Sequence, residues 1–136
     1  MKELTVPART DNLDQVLDFI AEQLEEYDCP MKLIMQIQVA AEEIYVNIAH
    51  YAYHPEEGQA TIRCCIGGDP LEVIITFLDH GRPYNPLENT DPDISLSADE
   101  REIGGLGIFM VKNIMDDISY RFENGNNILT INKKLK

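Results

Sequence analysis

Tryptophan is absent from the 136 residues, basic side chains are scarce and no apolar run is long. The last two shortages each remove a class of protein. The apolar stretches from Leu33 to Met35 and from Ile103 to Val111 fall far short of the roughly 20 residues that a bilayer crossing needs, which excludes a helical membrane span. The opening Met1-Lys-Glu-Leu-Thr-Val-Pro7 has neither the apolar core nor the small-residue cleavage site of a secretory signal, so a cytoplasmic protein is expected. Eleven Lys and Arg against 24 Asp and Glu give a net charge of −13, which opposes non-specific binding to nucleic acid or anionic membranes. The three cysteines, Cys29, Cys64 and Cys65, make no CxxC pair, and adjacent residues on a strand point to opposite faces. Reduced thiols follow. His50, His54 and His80 have no spacing that joins them to cysteines as a zinc set.

What is present is an ordinary globular composition, 44% hydrophobic and 26% charged with 8 Gly and 7 Pro, in a length that suits one domain over residues 1–136. The acid is uneven: Asp11, Asp14, Asp18, Glu22, Glu25, Glu26 and Asp28 crowd one segment without an intervening Lys or Arg. A solvated helix face is the plain reading of that run, and a docking face for a basic partner the rarer one.

Lys2 to Val6 reads as a short edge strand closed by Pro7. Leu13, Val16, Leu17, Ile20 and Leu24 recur at helical spacing, predicting a helix over about 11–27 that Asp28-Cys29-Pro30 breaks. A second helix is predicted over about 31–52, its seam running Ile34, Ile37, Ala41, Ile44, Ile48 and Tyr51. Beside the seam lies a stripe of Gln36, Ala40, Glu43, Asn47 and His50. Gln59–Ile66 and Leu71–Leu78 read as a hairpin around Gly67-Gly68-Asp69-Pro70. Asp79 to Gly105 is rich in Pro, Gly, Asn, Asp and Ser, long enough for a functional lid, and Ser97-Ala-Asp-Glu100 within it has the form of a capping box. After Gly104-Gly105-Leu106-Gly107, a third helix carries Ile108, Val111, Ile114 and Met115 to about Asp117. Ile118–Phe122 and Ile128–Leu135 close the chain as a hairpin around Glu123-Asn-Gly-Asn-Asn127. Consecutive hairpins make a mixed, mainly antiparallel sheet, and amphipathic helices cover one face: a two-layer α/β (α+β) sandwich.

Three segments carry chemistry. Glu43 and Asn47 stand one helical turn apart, so a carboxylate able to act as general base and an amide oxygen suited to Mg²⁺ face one point, although most such pairs are merely solvated. Asp79 ends a buried strand, where it can accept a hydrogen bond from an exocyclic amine, and Gly81 permits close approach of a flat ring; an ordinary Asp-Gly turn is the alternative. Gly104, Gly105 and Gly107 open a helix, where free N–H groups attract phosphate, with Arg101 and Lys112 nearby. In a protein this acidic a bound polyphosphate calls for Mg²⁺. A flexible hinge is the competing reading, and the Lys-Ser/Thr ending of a Walker loop is missing.

Together, Glu43-Ile-Tyr-Val-Asn47-Ile-Ala-His-Tyr51-Ala-Tyr53, Asp79-x-Gly81-x-Pro-Tyr-Asn-Pro and Arg101-Glu-Ile-Gly-Gly-Leu-Gly-Ile108 resemble the ATP-binding domain of the GHKL superfamily. More narrowly the chain is similar to the bacterial anti-sigma factor serine/threonine kinases. The resemblance implies a Bergerat-type fold, with three helices on one face of the sheet and an ATP lid over about 85–103. It implies that Asn47 coordinates Mg²⁺, that Glu43 polarises an attacking hydroxyl or water, and that Asp79 binds the adenine amine with Gly81 beneath the base. Gly104, Gly105, Leu106 and Gly107 would hold the phosphates, and Thr130 would lie near adenine. Where relatives have Ala and, four residues after the Asn, a His, this chain has Ile48 and Tyr51, with His50 one residue earlier.

The function implied is an ATP-dependent serine/threonine protein kinase and anti-sigma factor, with ATP and Mg²⁺ as cofactors. Its partners would be a sigma factor or an anti-anti-sigma protein of STAS type, with no direct nucleic acid or membrane contact, and a homodimer in keeping with relatives. The alternative is a nucleotide-sensing module in which ATP orders the lid and alters partner affinity without phosphoryl transfer. A histidine kinase would need a separate phosphoacceptor hairpin, for which 136 residues leave no space.

Overall fold

The computed structural model describes residues 1–53, 56–88 and 105–135. Five strands, β1 (Lys2–Pro7), β2 (Gln59–Gly67), β3 (Glu72–Asp79), β4 (Asp117–Glu123) and β5 (Asn126–Lys134), form one sheet in the order β1-β2-β3-β5-β4. Every neighbouring pair is antiparallel, so the mixed character expected of the sheet is absent from the pairings. The reason is topological: the chain leaves β3, crosses through a helix to β4, and returns as β5 between the two. β3 and β4 thus run parallel without touching.

Three helices cover one face: α1 (Leu13–Glu25), α2 (Met31–Asn47) and α3 (Gly105–Ile114). Val16, Ile20 and Leu24, four apart on α1, are fully buried, and their acidic neighbours take the solvent side. The helix ends as expected, with Asp28 at φ 57 supplying the left-handed residue that stops it. On α2, Ile34, Ile37, Ala41 and Ile44 are buried as the spacing predicts, and Ala40 joins them, leaving the polar stripe narrower than expected. Tyr45 is also fully buried. Its hydroxyl lies 2.7 Å from Arg9 O and 3.0 Å from Pro7 O and accepts the Arg9 N–H at 3.2 Å, tying α2 to the end of β1. Burial raises the pKa of this hydroxyl, an effect that the Arg9 N–H partly offsets.

From the sheet, Ala60, Ile62, Cys64, Val73, Ile75, Phe77, Leu129 and Ile131 meet the helices. The two adjacent cysteines divide as the alternation requires: Cys64 is buried, its thiol pushed up to about 12 chiefly by desolvation, and Cys65 is exposed. The final hairpin turns on two residues only, Asn124 (φ 53) and Gly125 (φ 81), the positive-φ pair of a type I′ turn. The expected turn of Glu123 to Asn127 was too wide, because Asn126 and Asn127 pair with Glu123 and Phe122.

Of the lid expected over 85–103, Pro86–Glu88 forms a 3₁₀ turn. Residues 89–103, with the capping box and Arg101, lie outside the described residues, as does Gly104.

Candidate functional site

Helix α2 ends abruptly. After Asn47 the helix widens into a π turn, Ile48–Ala52, an irregularity that often marks functional sites. The widened turn brings Tyr51 and Ala52 onto the wall of a cleft, closed on the sheet side by Phe77, Asp79, Tyr120, Asn127 and Leu129 and at one end by Ile108 of α3. His50 is exposed and outside the lining, its ring edge-on to Tyr51 with centroids 6.0 Å apart.

The turn after β3 is clamped to this helix end. Tyr53 Oη accepts the His80 N–H at 2.7 Å, and Ala52 O accepts the Arg82 N–H at 3.0 Å. Gly81 lies so close to Ala52 that any side chain would collide with its backbone carbonyl. Glycine is therefore required here by the approach of two backbones.

Asp79 is 5% exposed and uncompensated by any cation within bonding distance among the described residues. Its Oδ1 accepts two hydrogen bonds, from Gly81 N–H and from Asn127 Nδ2, both at 2.9 Å. Desolvation raises its pKa, opposed by these two bonds and by nearby His80. Oδ2 receives no hydrogen bond from a described residue, and Asp79 lines the cleft, so one carboxylate oxygen is available to a donor on a bound molecule.

Across the cleft stands Asn47, half-buried and lining it, with a side-chain amide that makes no hydrogen bond to a described residue. One turn earlier, Glu43 is half-buried, and its carboxylate rests against Gly107, where an added Cβ would strike Oε2. Gly105 and Leu106 form the first turn of α3 just ahead of it, so the carboxylate lies at a helix N-terminus, where the dipole favours negative charge.

Asn47 and Asp79 are thus among the lining of one cleft, with Gly81 packed on Ala52 of its wall and the Glu43–Gly107 contact one residue along the chain from lining Ile44 and Ile108. Thr130 is not part of that lining. It pairs with Thr76 and Ser119 at positions of opposite parity to Asp79 and Leu129, which turns it to the sheet's other face. From the same strand it is Asn127, directly across from Asp79 and 6% exposed, that lines the cleft. Sequence reasoning missed Asn127 by assigning it to the turn. A two-residue Asn124-Gly125 turn, combined with the alternation of Leu129 and Ile131, would have placed it on the buried face.

The histidine kinase-like ATPase domain family matches almost the whole chain, residues 6–133. The chain belongs to this family. Among relatives of the histidine kinase-like ATPase domain, it is 28% identical over 100 residues to the serine/threonine-protein kinase BtrW of Bordetella bronchiseptica, covering 74% of this chain and 70% of that protein. It is 31% identical over 98 residues to the serine-protein kinase RsbW of Listeria monocytogenes, covering 68% of this chain but only 60% of that one. The fold matches the RsbU and RsbW domains of Rv1364c from Mycobacterium tuberculosis with a TM-score of 0.66 at 16% identity, over 99% of this chain and 33% of that chain. A histidine kinase domain from Erythrobacter litoralis matches with a TM-score of 0.57 at 15% identity, over 90% and 61% of the two chains. Membership in this family implies the use of ATP. No described helix is long and apolar enough to cross a membrane.

Proposed function

We propose that this histidine kinase-like ATPase domain is a serine/threonine protein kinase that transfers the γ-phosphoryl group of ATP to a partner protein, and that it acts as an anti-sigma factor. By family likeness the partner is an anti-anti-sigma protein of STAS type, with a sigma factor as the second client. The observation that supports this best is the placement of Glu43 against Gly107, one helical turn from Asn47, which lines the same cleft as Asp79.

In this reading Asp79 accepts the adenine amine, and Gly81, pressed against the Ala52 backbone, holds the turn that presents it. The N–H groups of Gly105, Leu106 and Gly107 at the start of α3 hold the phosphates, a role the motif extends to Gly104, which lies outside the described residues. Asn47 offers its amide oxygen to Mg²⁺, which would neutralise phosphate charge in a protein of net charge −13. Glu43 takes the proton of the acceptor hydroxyl as that oxygen bonds to the γ-phosphorus, while the bond from phosphorus to the bridging oxygen breaks and ADP leaves. Phosphoryl transfer needs mainly positioning and charge neutralisation, and both are within reach of these groups.

The test is to capture partners from the source cell, incubate with Mg²⁺-ATP and locate phosphate by mass spectrometry. Transfer to a Ser or Thr that disappears in Glu43→Ala while nucleotide affinity stays within about threefold supports the kinase. Transfer by Glu43→Ala at the parent rate removes Glu43 from its role. Nucleotide-dependent capture with no phosphate on any captured protein would replace the kinase by a nucleotide-sensing module.

A further inference from the structure

Asn127 is held in one orientation by groups whose hydrogen-bonding roles are not interchangeable. Its Oδ1 accepts the backbone N–H of Tyr84 at 3.2 Å and the Tyr120 hydroxyl at 2.5 Å. Its Nδ2 donates to Arg82 O at 2.8 Å and to Asp79 Oδ1 at 2.9 Å. An N–H can only donate and a carbonyl only accept, so a flipped amide would place donor against donor and acceptor against acceptor. The Asn127 amide is thereby a fixed donor aimed at one oxygen of Asp79. With the Gly81 N–H on that same oxygen, the carboxylate is pinned in rotation, and Oδ2 is the atom left for the cleft.

We infer that Asn127, oriented by the Tyr120 hydroxyl, is a positioning residue that makes the cleft select a 6-amino purine over one lacking that amine, by presenting Asp79 Oδ2 as a fixed acceptor. This rests on the reading of the cleft as an adenine-nucleotide site, and it adds residues from β4 and β5 that touch no reacting atom. An acceptor-only oxygen held in place bonds an exocyclic amine, gains nothing from a bare ring carbon, and repels the 6-oxo group of guanine. A carboxylate free to rotate would reach water as readily as the ligand, and the distinction would fade. The tyrosine matters because its hydroxyl fills the amide oxygen that otherwise has only the longer Tyr84 contact.

The experiment compares binding of ATP and of purine riboside 5′-triphosphate, which lacks only the 6-amino group, by calorimetry with Mg²⁺ present. The parent protein is expected to prefer ATP by about tenfold or more, the discrimination typical of a hydrogen bond to a charged group. Asn127→Leu is expected to bring the ratio to within about twofold, chiefly by weakening ATP, with the affinity for the analogue little changed. Tyr120→Phe should lower the ratio severalfold and, as the milder change, decides the matter if Asn127→Leu does not fold. A purely structural role would weaken both ligands alike and leave the ratio untouched. A parent that prefers ATP while both variants, or Tyr120→Phe alone where the other does not fold, keep the parent ratio overturns the inference and leaves the nucleotide site standing. A parent that binds neither ligand overturns the nucleotide reading and the inference with it.

Discussion

Replacing Gly107 by Ala separates the two roles assigned to the start of α3. The methyl group would point at Glu43, whose Oε2 lies closer than any real Cβ contact allows. Gly107 has no positive φ, so the backbone accepts Ala, which favours a helix over Gly by roughly 1 kcal/mol. Against this, forcing the glutamate out of its rotamer costs about 0.5–1.5 kcal/mol. The two nearly cancel, and the thermal midpoint should move by no more than about 3 °C. The carboxylate itself must retreat, and a misplacement of about 1 Å in a reacting group is worth on the order of 10²-fold in rate. Gly107→Ala is therefore expected to bind a fluorescent ATP analogue within about threefold of the parent, yet to transfer phosphate to its partner about 10²-fold more slowly. The double variant with Glu43→Gln should be no slower than Glu43→Gln alone, since both changes act on one carboxylate. Transfer at the parent rate by Gly107→Ala, or losses that multiply in the double variant, would refute the argument.

Asp79→Asn keeps an oxygen to accept the Gly81 and Asn127 donors but removes the buried charge. Because the folded state raises this carboxyl above its ordinary value, folding binds the proton more tightly, and the empty protein loses stability as pH rises from the unfolded value near 4 through the folded one. Thermal melts of the nucleotide-free protein should accordingly show Asp79→Asn more stable than the parent at pH 7 and equal to it below about pH 4, with adenine nucleotide affinity lost at every pH. The other ionisable groups around Asp79, namely His80, Tyr53, Arg82, Tyr84 and Tyr120, are unchanged in the variant, so the difference between the two melts reports Asp79 alone. An unchanged difference between pH 4 and 7 would contradict the assignment. Tyr45→Phe deprives the Arg9 N–H and a neighbouring carbonyl of their partner at the β1–α1 corner, a loss of about 1–3 kcal/mol. The melting midpoint should fall by roughly 4–10 °C with nucleotide affinity intact, because Tyr45 lies on the side of α2 away from Asn47. A normal melt with weakened nucleotide binding would show that the tyrosine serves the site instead.

Much of this arrangement was legible in the order of residues. The burial of Val16, Ile20 and Leu24 follows from a period of 3.6, and the division of Cys64 from Cys65 follows from a period of 2. Both periods are properties of the local backbone and need no knowledge of neighbours. Glu43 and Asn47 share a helix face for the same reason. The meeting of Glu43 with Gly107 and of Gly81 with Ala52 is different in kind, because contacts between segments distant in sequence depend on how helices and turns dock over the sheet. Strand register likewise belongs to the fold: where the turn closes decides which residues face inward, and a shift of one residue exchanges the faces. That is why Thr130 faces away, why Asn127 stands opposite Asp79, and why a tyrosine from the edge strand reaches the amide between them. Sequence alone determined the elements, their buried faces and the residue types able to do the chemistry. The tertiary structure decided which of those residues meet, since only packing and pairing bring separate stretches of chain within hydrogen-bonding distance.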